Sequence, residues 1–232
     1  MSDFPNHTHQ IQTVTNFEDL LSTPFQGSIN AACWTRQLKG NFSEIANKLP
    51  LNENIETISQ EQLHGLQLSD AGQLARSVIV HDFELLTAHG AAPTLNLIQH
   101  YDRDDSYPFF PTDVYSFHVD RSAGAMNTFL CTYHGAPSDI LPNAQAEQKV
   151  LIPEIRAELK KLYDGSEDDF NAFLEDYFFD LHYDALPYAQ PISLGTGHLW
   201  RLAVDHPDSD VPPCIHRAPL EEDGKLRLMI IC

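Results

Sequence analysis

The chain has 232 residues, of which 42% are apolar, and its 33 acidic against 14 basic side chains give a net charge of −19. That length supports a core without help from a disulfide or a structural metal, and the composition excludes wholesale disorder. The negative field repels phosphate backbones and anionic membranes, so the expected partner is a small-molecule or protein substrate rather than nucleic acid or lipid, with the oligomeric state open.

Residues 1–16 are polar and predict a loose N-terminal arm, with no secretory signal. No apolar run approaches the roughly 18 residues of a membrane span, so the expected location is cytoplasmic. Ser28 to Leu38 has mixed strand character. Asn41 to Lys48 and Ser59 to Leu66 predict short helices, the first capped by Asn41 or Ser43, the second by Ser59 with Gln62 three residues on. Ser69 to Ala88 predicts a longer helix, capped by Ser69 or Asp70, with Leu74, Val78, Leu85 and Leu86 at helical spacing. Residues 17–92 thus form a helical N-terminal layer.

After Pro93 the texture turns to strands. Thr94 to His100 alternates, Asp113 to Phe117 is a short β-type run ending at His118, and Asn127 to Tyr133 is a strand of buried type. A helical block is expected next, over Gln145 to Tyr163 and Glu167 to Tyr183, its aromatic residues read as core. The last third returns to strands at His198 to Val204, Pro213 to Arg217 and Leu226 to Ile231, the last two joined by a turn at 221–224. The expected fold is mostly β with flanking helices, an α+β chain of one domain over residues 1–232. Its antiparallel core spans 93–232, with a helical insertion at about 145–183.

The four cysteines form no C-x-x-C pair, which excludes zinc ribbons and thioredoxin-like sites; Cys131 and Cys214 read as buried apolar residues and Cys232 as a terminal thiol. No P-loop, G-x-S-x-G or G-x-G-x-x-G occurs.

His118, Asp120, His216 and Arg227 carry the chemistry. Two imidazoles and one carboxylate hold one face of a divalent iron and leave the other positions open. H-x-D is short enough to occur by chance in a chain with 12 histidines, so context must choose among the pairs. His182/Asp184 is expected at the end of a helix, where i and i+2 diverge; His206/Asp208 is expected in a surface turn. His118/Asp120 ends a strand, where i and i+2 share a face, and His216 begins another strand. Arg227 stands in an otherwise apolar strand, so it must line a cavity or pair, as an edge-strand residue, with Glu221 or Glu222.

His118-Val119-Asp120, His216 and Arg227 resemble the H-x-D…H…R signature of the 2-oxoglutarate/Fe(II)-dependent oxygenases, over roughly residues 93–232. The His216-Arg217 step is also frequent at the distal ligand of that superfamily, and an uncharacterised bacterial family has a similar layout. The resemblance implies a double-stranded β-helix, the jelly-roll or cupin-like core, with its unassigned strands hidden in 184–196. It implies Fe(II) on His118, Asp120 and His216, and 2-oxoglutarate as co-substrate with its distal carboxylate on Arg227. Asn127 and Tyr133 are the candidates for its other end. Such an enzyme is a dioxygenase that oxidises a substrate C–H bond and releases succinate and CO2. Trp200, Phe117 and Phe129 are candidates for enclosing the site. The alternatives are a cupin-like metalloprotein that does not use 2-oxoglutarate and a non-enzymatic binding module.

Overall fold

All four N-terminal helices begin just after residues whose side chains cap them. The computed structural model describes residues 9–220 and 224–232. In chain order its elements are β1 (Ile11–Val14), α1 (Phe17–Ser22), β2 (Ala31–Trp34), α2 (Phe42–Lys48), β3 (Ile55–Ile58), α3 (Gln60–Gly65) and α4 (Asp70–Ala88). Then come β4 (Thr94–Ile98), β5 (Phe117–His118), β6 (Asn127–His134), β7 (Asp139–Ile140), β8 (Ala146–Gln148), α5 (Pro153–Lys160) and α6 (Phe170–Asp176). The last are β9 (His182–Ala185), β10 (Ile192–Ser193), β11 (Leu199–Ala203), β12 (His216–Arg217) and β13 (Arg227–Ile231). Asn41 caps α2, Ser69 caps α4, and Ser59 with Gln62 closes the reciprocal capping box of α3.

Two sheets organise the chain, which is mostly β with flanking helices. One has seven strands in the order β1-β2-β11-β6-β13-β4-β3, and the other six in the order β10-β7-β12-β5-β9-β8. Among the strand pairs of the described residues, only β1/β2 is parallel. Strand period 2 sorts the side chains of the larger sheet. Leu95, Leu97, Cys131, Leu228 and Ile230 pack beneath the helices, in one cluster with Leu20, Ile45 and Ile79. Ile98, Leu130, Trp200 and Met229 face the other way, against Ile140 of the smaller sheet. The large sheet is therefore buried on both faces, which accounts for the continuous burial along β6 and β11.

Several expectations are corrected. The arm expected over 1–16 contains β1, fixed beside β2 from Ile11↔Ala31 to Val14↔Trp34; residues 1–8 lie outside the described residues. Strand β3 is an addition within the helical layer, paired with β4. The inward face of α4 carries Ala75, Ile79, Asp82 and Leu86, whereas Leu74 is exposed. The stripe was read from large aliphatic residues, and a carboxylate holds one of its inward positions.

The insertion opens and closes with strands rather than helices. Pro153 has no N–H to give a helix interior, so α5 starts there, and residues 146–148 extend to pair with β9. Segment 184–196 contributes β10 and the end of β9. Residues 221–223 of the expected turn lie outside the described residues, and Gly224 follows with φ 73.

Candidate metal centre

Strand β5 ends at His118, and the chain continues extended through Asp120. Val119 points outward into a cluster with Leu141 and Ile215, so His118 and Asp120 point inward. β12 is the neighbour of β5, and its register sets His216 directly opposite His118. The two rings lie 4.7 Å apart between centroids, and His216 Nε2 is 3.7 Å from Asp120 Oδ2. One ligand atom from each of His118, Asp120 and His216 lies within 4.8 Å of the others. This is the one such group of three among the described residues.

The surroundings fix how each group is presented. His118 Nδ1 lies 2.7 Å from the Ser116 carbonyl and His216 Nδ1 lies 3.2 Å from that of Cys214. A carbonyl only accepts, so each Nδ1 donates and each Nε2 keeps its lone pair for a ligand. The Thr128 hydroxyl donates to Asp120 Oδ2. The turn after Asp120 is clasped by the loop after β11: Asp205 N–H donates to the Asp120 carbonyl at 2.8 Å, and Ser122 N–H to the Asp205 carbonyl at 2.9 Å. Arg121 also bridges the carboxylates of Asp205 and Asp180.

Burial, reinforced by the charge of His216, pushes His118 down to about 4. Burial pushes the Asp120 carboxyl up, but His216, Thr128 and His118 outweigh it and hold the group below the usual carboxylate range. A neutral imidazole beside an ionised carboxylate is the donor set a divalent metal requires.

Arg227 is buried on β13, between β6 and β4, and so is not an edge-strand residue. Its guanidinium donates to Tyr101 Oη at 3.1 Å, Thr132 Oγ1 at 3.2 Å and Ser138 Oγ at 2.8 Å. Glu221 and Glu222, its alternative partners, lie outside the described residues. The register of β13 against β6 shifts between Leu228 and Met229. There Gly135, at φ +85, lets the β6–β7 turn approach; a Cβ on it would lie 2.5 Å from the Leu226 carbonyl oxygen. Arg227 and the three clustered residues line one cavity of about 320 Å³.

Other expectations fail at this point. Tyr133 is on the far face of β6, where its hydroxyl donates to Asp82 at 2.7 Å and its ring stacks on Phe42. Asn127 has the same strand parity as Tyr133 and also points away. The site-facing residues of β6 are Thr128, Leu130 and Thr132, and the polarity of the two threonines at even spacing was the signal for them. Tyr101 and Ser138 come from loops and left no pattern. Trp200 and Phe129 are core side chains, and Phe117 lies under Arg217.

His182 and Asp184 are in strand β9, not at a helix end, so the argument from helical geometry does not hold for them. His182 opposes His118 across the strands, with ring centroids 6.0 Å apart, but bonds through Nδ1 to Ser116 Oγ at 3.3 Å. Asp184 lies 3.7 Å from Lys149. His206 and Asp208 share a turn, and the remaining H-x-D pair, His100/Asp102, is exposed.

The buried histidines make stability depend on pH. Burial, with His118 and Lys149 adding to it, pushes His182 down to about 3 from its ordinary 6.5. Below pH 6.5 the unfolded chain takes the proton first, so stability falls as pH falls toward the folded value. For His182 the loss at pH 5 is about 2 kcal/mol, and His118 acts in the same direction. Urea unfolding of the metal-free chain should show a lower midpoint at pH 5 than at pH 7, with a smaller drop in His182→Asn. Equal midpoints for the unaltered chain would contradict this account.

Cys131 and Cys214 are buried and Cys232 is half-buried, its thiol pushed up to about 11 by burial. No helix among the described residues is long and apolar enough to cross a membrane. No family model, curated protein or solved structure matches the chain.

Proposed function

We propose that the chain is an Fe(II)- and 2-oxoglutarate-dependent oxygenase of hydroxylase type. The observation that carries this reading is the shared cavity, in which a two-histidine, one-carboxylate group and a buried arginine face the same space. His118 and His216 would hold the metal through Nε2, and Asp120 through its carboxylate. Thr128 keeps that carboxylate oriented, and the two backbone carbonyls keep the imidazoles in the ligating tautomer. Arg227, braced by Tyr101, Thr132 and Ser138, would take the distal carboxylate of 2-oxoglutarate by a forked contact. Bound Fe(II) with 2-oxoglutarate and dioxygen supplies the oxidising power for a substrate C–H bond. The chain's part is to bind, orient and exclude water.

The strand order supports a double-stranded β-helix as the core. β4, β6, β11 and β13 lie in one sheet and β5, β7, β10 and β12 in the other, and in chain order these eight change sheet at every step except from β7 to β10, which pair with each other. The free thiols suit a reducing cytoplasm.

The test is anaerobic titration with Fe(II) and then 2-oxoglutarate, followed by succinate measurement after oxygen is admitted. Stoichiometric metal and iron-dependent succinate are expected. Metal binding without 2-oxoglutarate binding or succinate would leave a cupin-like metalloprotein, and no metal binding would leave a binding module. Arg227→Gln should weaken 2-oxoglutarate binding by about 100-fold while Fe(II) affinity stays within about threefold, read by calorimetry. Unchanged 2-oxoglutarate affinity would make Arg227 a structural residue.

A further inference from the structure

The cavity that holds the metal group has two kinds of wall. One carries the histidines, Asp120, Arg227, Tyr101 and Ser138; apart from Asn96 the remainder is apolar. Ile98, Leu130, Met229 and Ile231 line it from the large sheet, and Ile55 and Val114 line it while remaining among the exposed large apolar residues of the chain. Exposed aliphatic groups that converge on a cavity differ from aliphatic groups scattered over a surface. The one polar side chain among them, Asn96, is bonded within the sheet: its Oδ1 accepts from Thr57 at 2.9 Å and its Nδ2 donates to Thr94 at 3.1 Å.

Charge narrows the ligand further. Among the described lining residues, Asp120 and Arg227 are the only carboxylate and the only guanidinium or ammonium. The proposed function assigns Asp120 to the metal and Arg227 to the co-substrate. An additional charge carried into this cavity would lose its hydration with no counter-charge assigned to it, at a cost of several kcal/mol.

We infer that the substrate of this site, on the oxygenase reading, is an uncharged molecule that presents an aliphatic or aromatic apolar portion to the metal. Ile55 and Val114 form the apolar rim it passes, and Met229 and Ile231 form the floor it rests on.

The test reads methyl NMR signals of the metal-free chain during titration with 1-butanol, 1-hexanol and 1-octanol. Saturable shifts are expected at Ile55, Met229 and Ile231, with affinity rising about fourfold per added methylene, equivalent to about 0.8 kcal/mol. The double variant Ile55→Ser/Val114→Ser should weaken 1-octanol by about 10-fold. It changes no charge, so metal and 2-oxoglutarate affinities should hold. In the Zn(II)-loaded chain, octylammonium should bind at least about 10-fold more weakly than 1-octanol. The inference is overturned if the alcohols leave these methyl signals unmoved, if affinity does not grow with chain length, or if the ammonium binds as well as the alcohol. The alcohol series needs neither metal nor co-substrate. A chain that binds octanol but releases no succinate would therefore refute the oxygenase reading and leave the apolar selectivity standing.

Discussion

His216→Ala is expected to remove stoichiometric Fe(II) binding, with affinity falling by more than about 100-fold, while the chain stays folded. The imidazole is one of three donors whose atoms converge within 4.8 Å, so its loss leaves a carboxylate and one imidazole to hold the ion. The backbone of β12 keeps its pairing to His118 and Ile140 whatever side chain is present. Because the native imidazole is buried, the variant removes a polar group from the interior and need not destabilise. His118→Ala should behave alike. Thr128→Val should have a smaller effect, about 10-fold, because it frees Asp120 to rotate without removing a donor. Equilibrium dialysis with metal analysis, alongside thermal unfolding, checks all three. Full Fe(II) affinity in either alanine variant would refute the metal centre.

Asp82→Ala should cost about 3–5 kcal/mol of stability and lower the unfolding temperature by on the order of 10 °C. Asp82 is fully buried on α4, and Arg36 reaches it with two bonds, at 2.5 and 2.9 Å, while Tyr133 adds a third at 2.7 Å. Arg36 also donates to the Gly197 carbonyl at 2.9 Å, so one cluster joins α4, β6 and the loops around β2 and β11. Burial works against the charge on Arg36, and the bond to Asp82 together with the electrostatic interactions around it outweighs that burial. Removing the carboxylate leaves a buried guanidinium without its counter-charge, which is worse than having neither partner. Calorimetry should show the loss, and Fe(II) affinity of the folded fraction should be retained because the cluster lies on the far face of the sheet. A change in unfolding temperature under about 3 °C would show that the pair contributes little.

What was legible in the sequence follows from which interactions are local. Caps at Asn41, Ser59 and Ser69 act within three residues, so the helix starts could be read directly. The inward pair His118/Asp120 followed from the two-residue period of an extended chain. Strands β1, β3 and β8 were not legible, because each is short and is defined by a partner elsewhere: β2, β4 and β9. Asp82 sat in plain view within a helical stripe, yet no spacing rule connects it to Arg36. Tyr133 was misplaced for a related reason. The reading placed β6 beside the site, but only the parity of Thr128, Leu130 and Thr132 reveals which of its faces the site sees.

The interleaving of the two sheets bears on the order in which the molecule comes together. β2 closes on β11 and β4 on β13, and β5 must find β12 across most of a hundred intervening residues. Such distant closures are slow and lose much chain entropy before any contact compensates. His118 and Asp120 alone offer an ion only two donors. A metal therefore cannot seed this fold as it seeds a small finger whose ligands are neighbours in sequence. Capture of the ion comes after the sheets have met, and a chain deprived of metal should reach its native architecture at the same rate as one supplied with it.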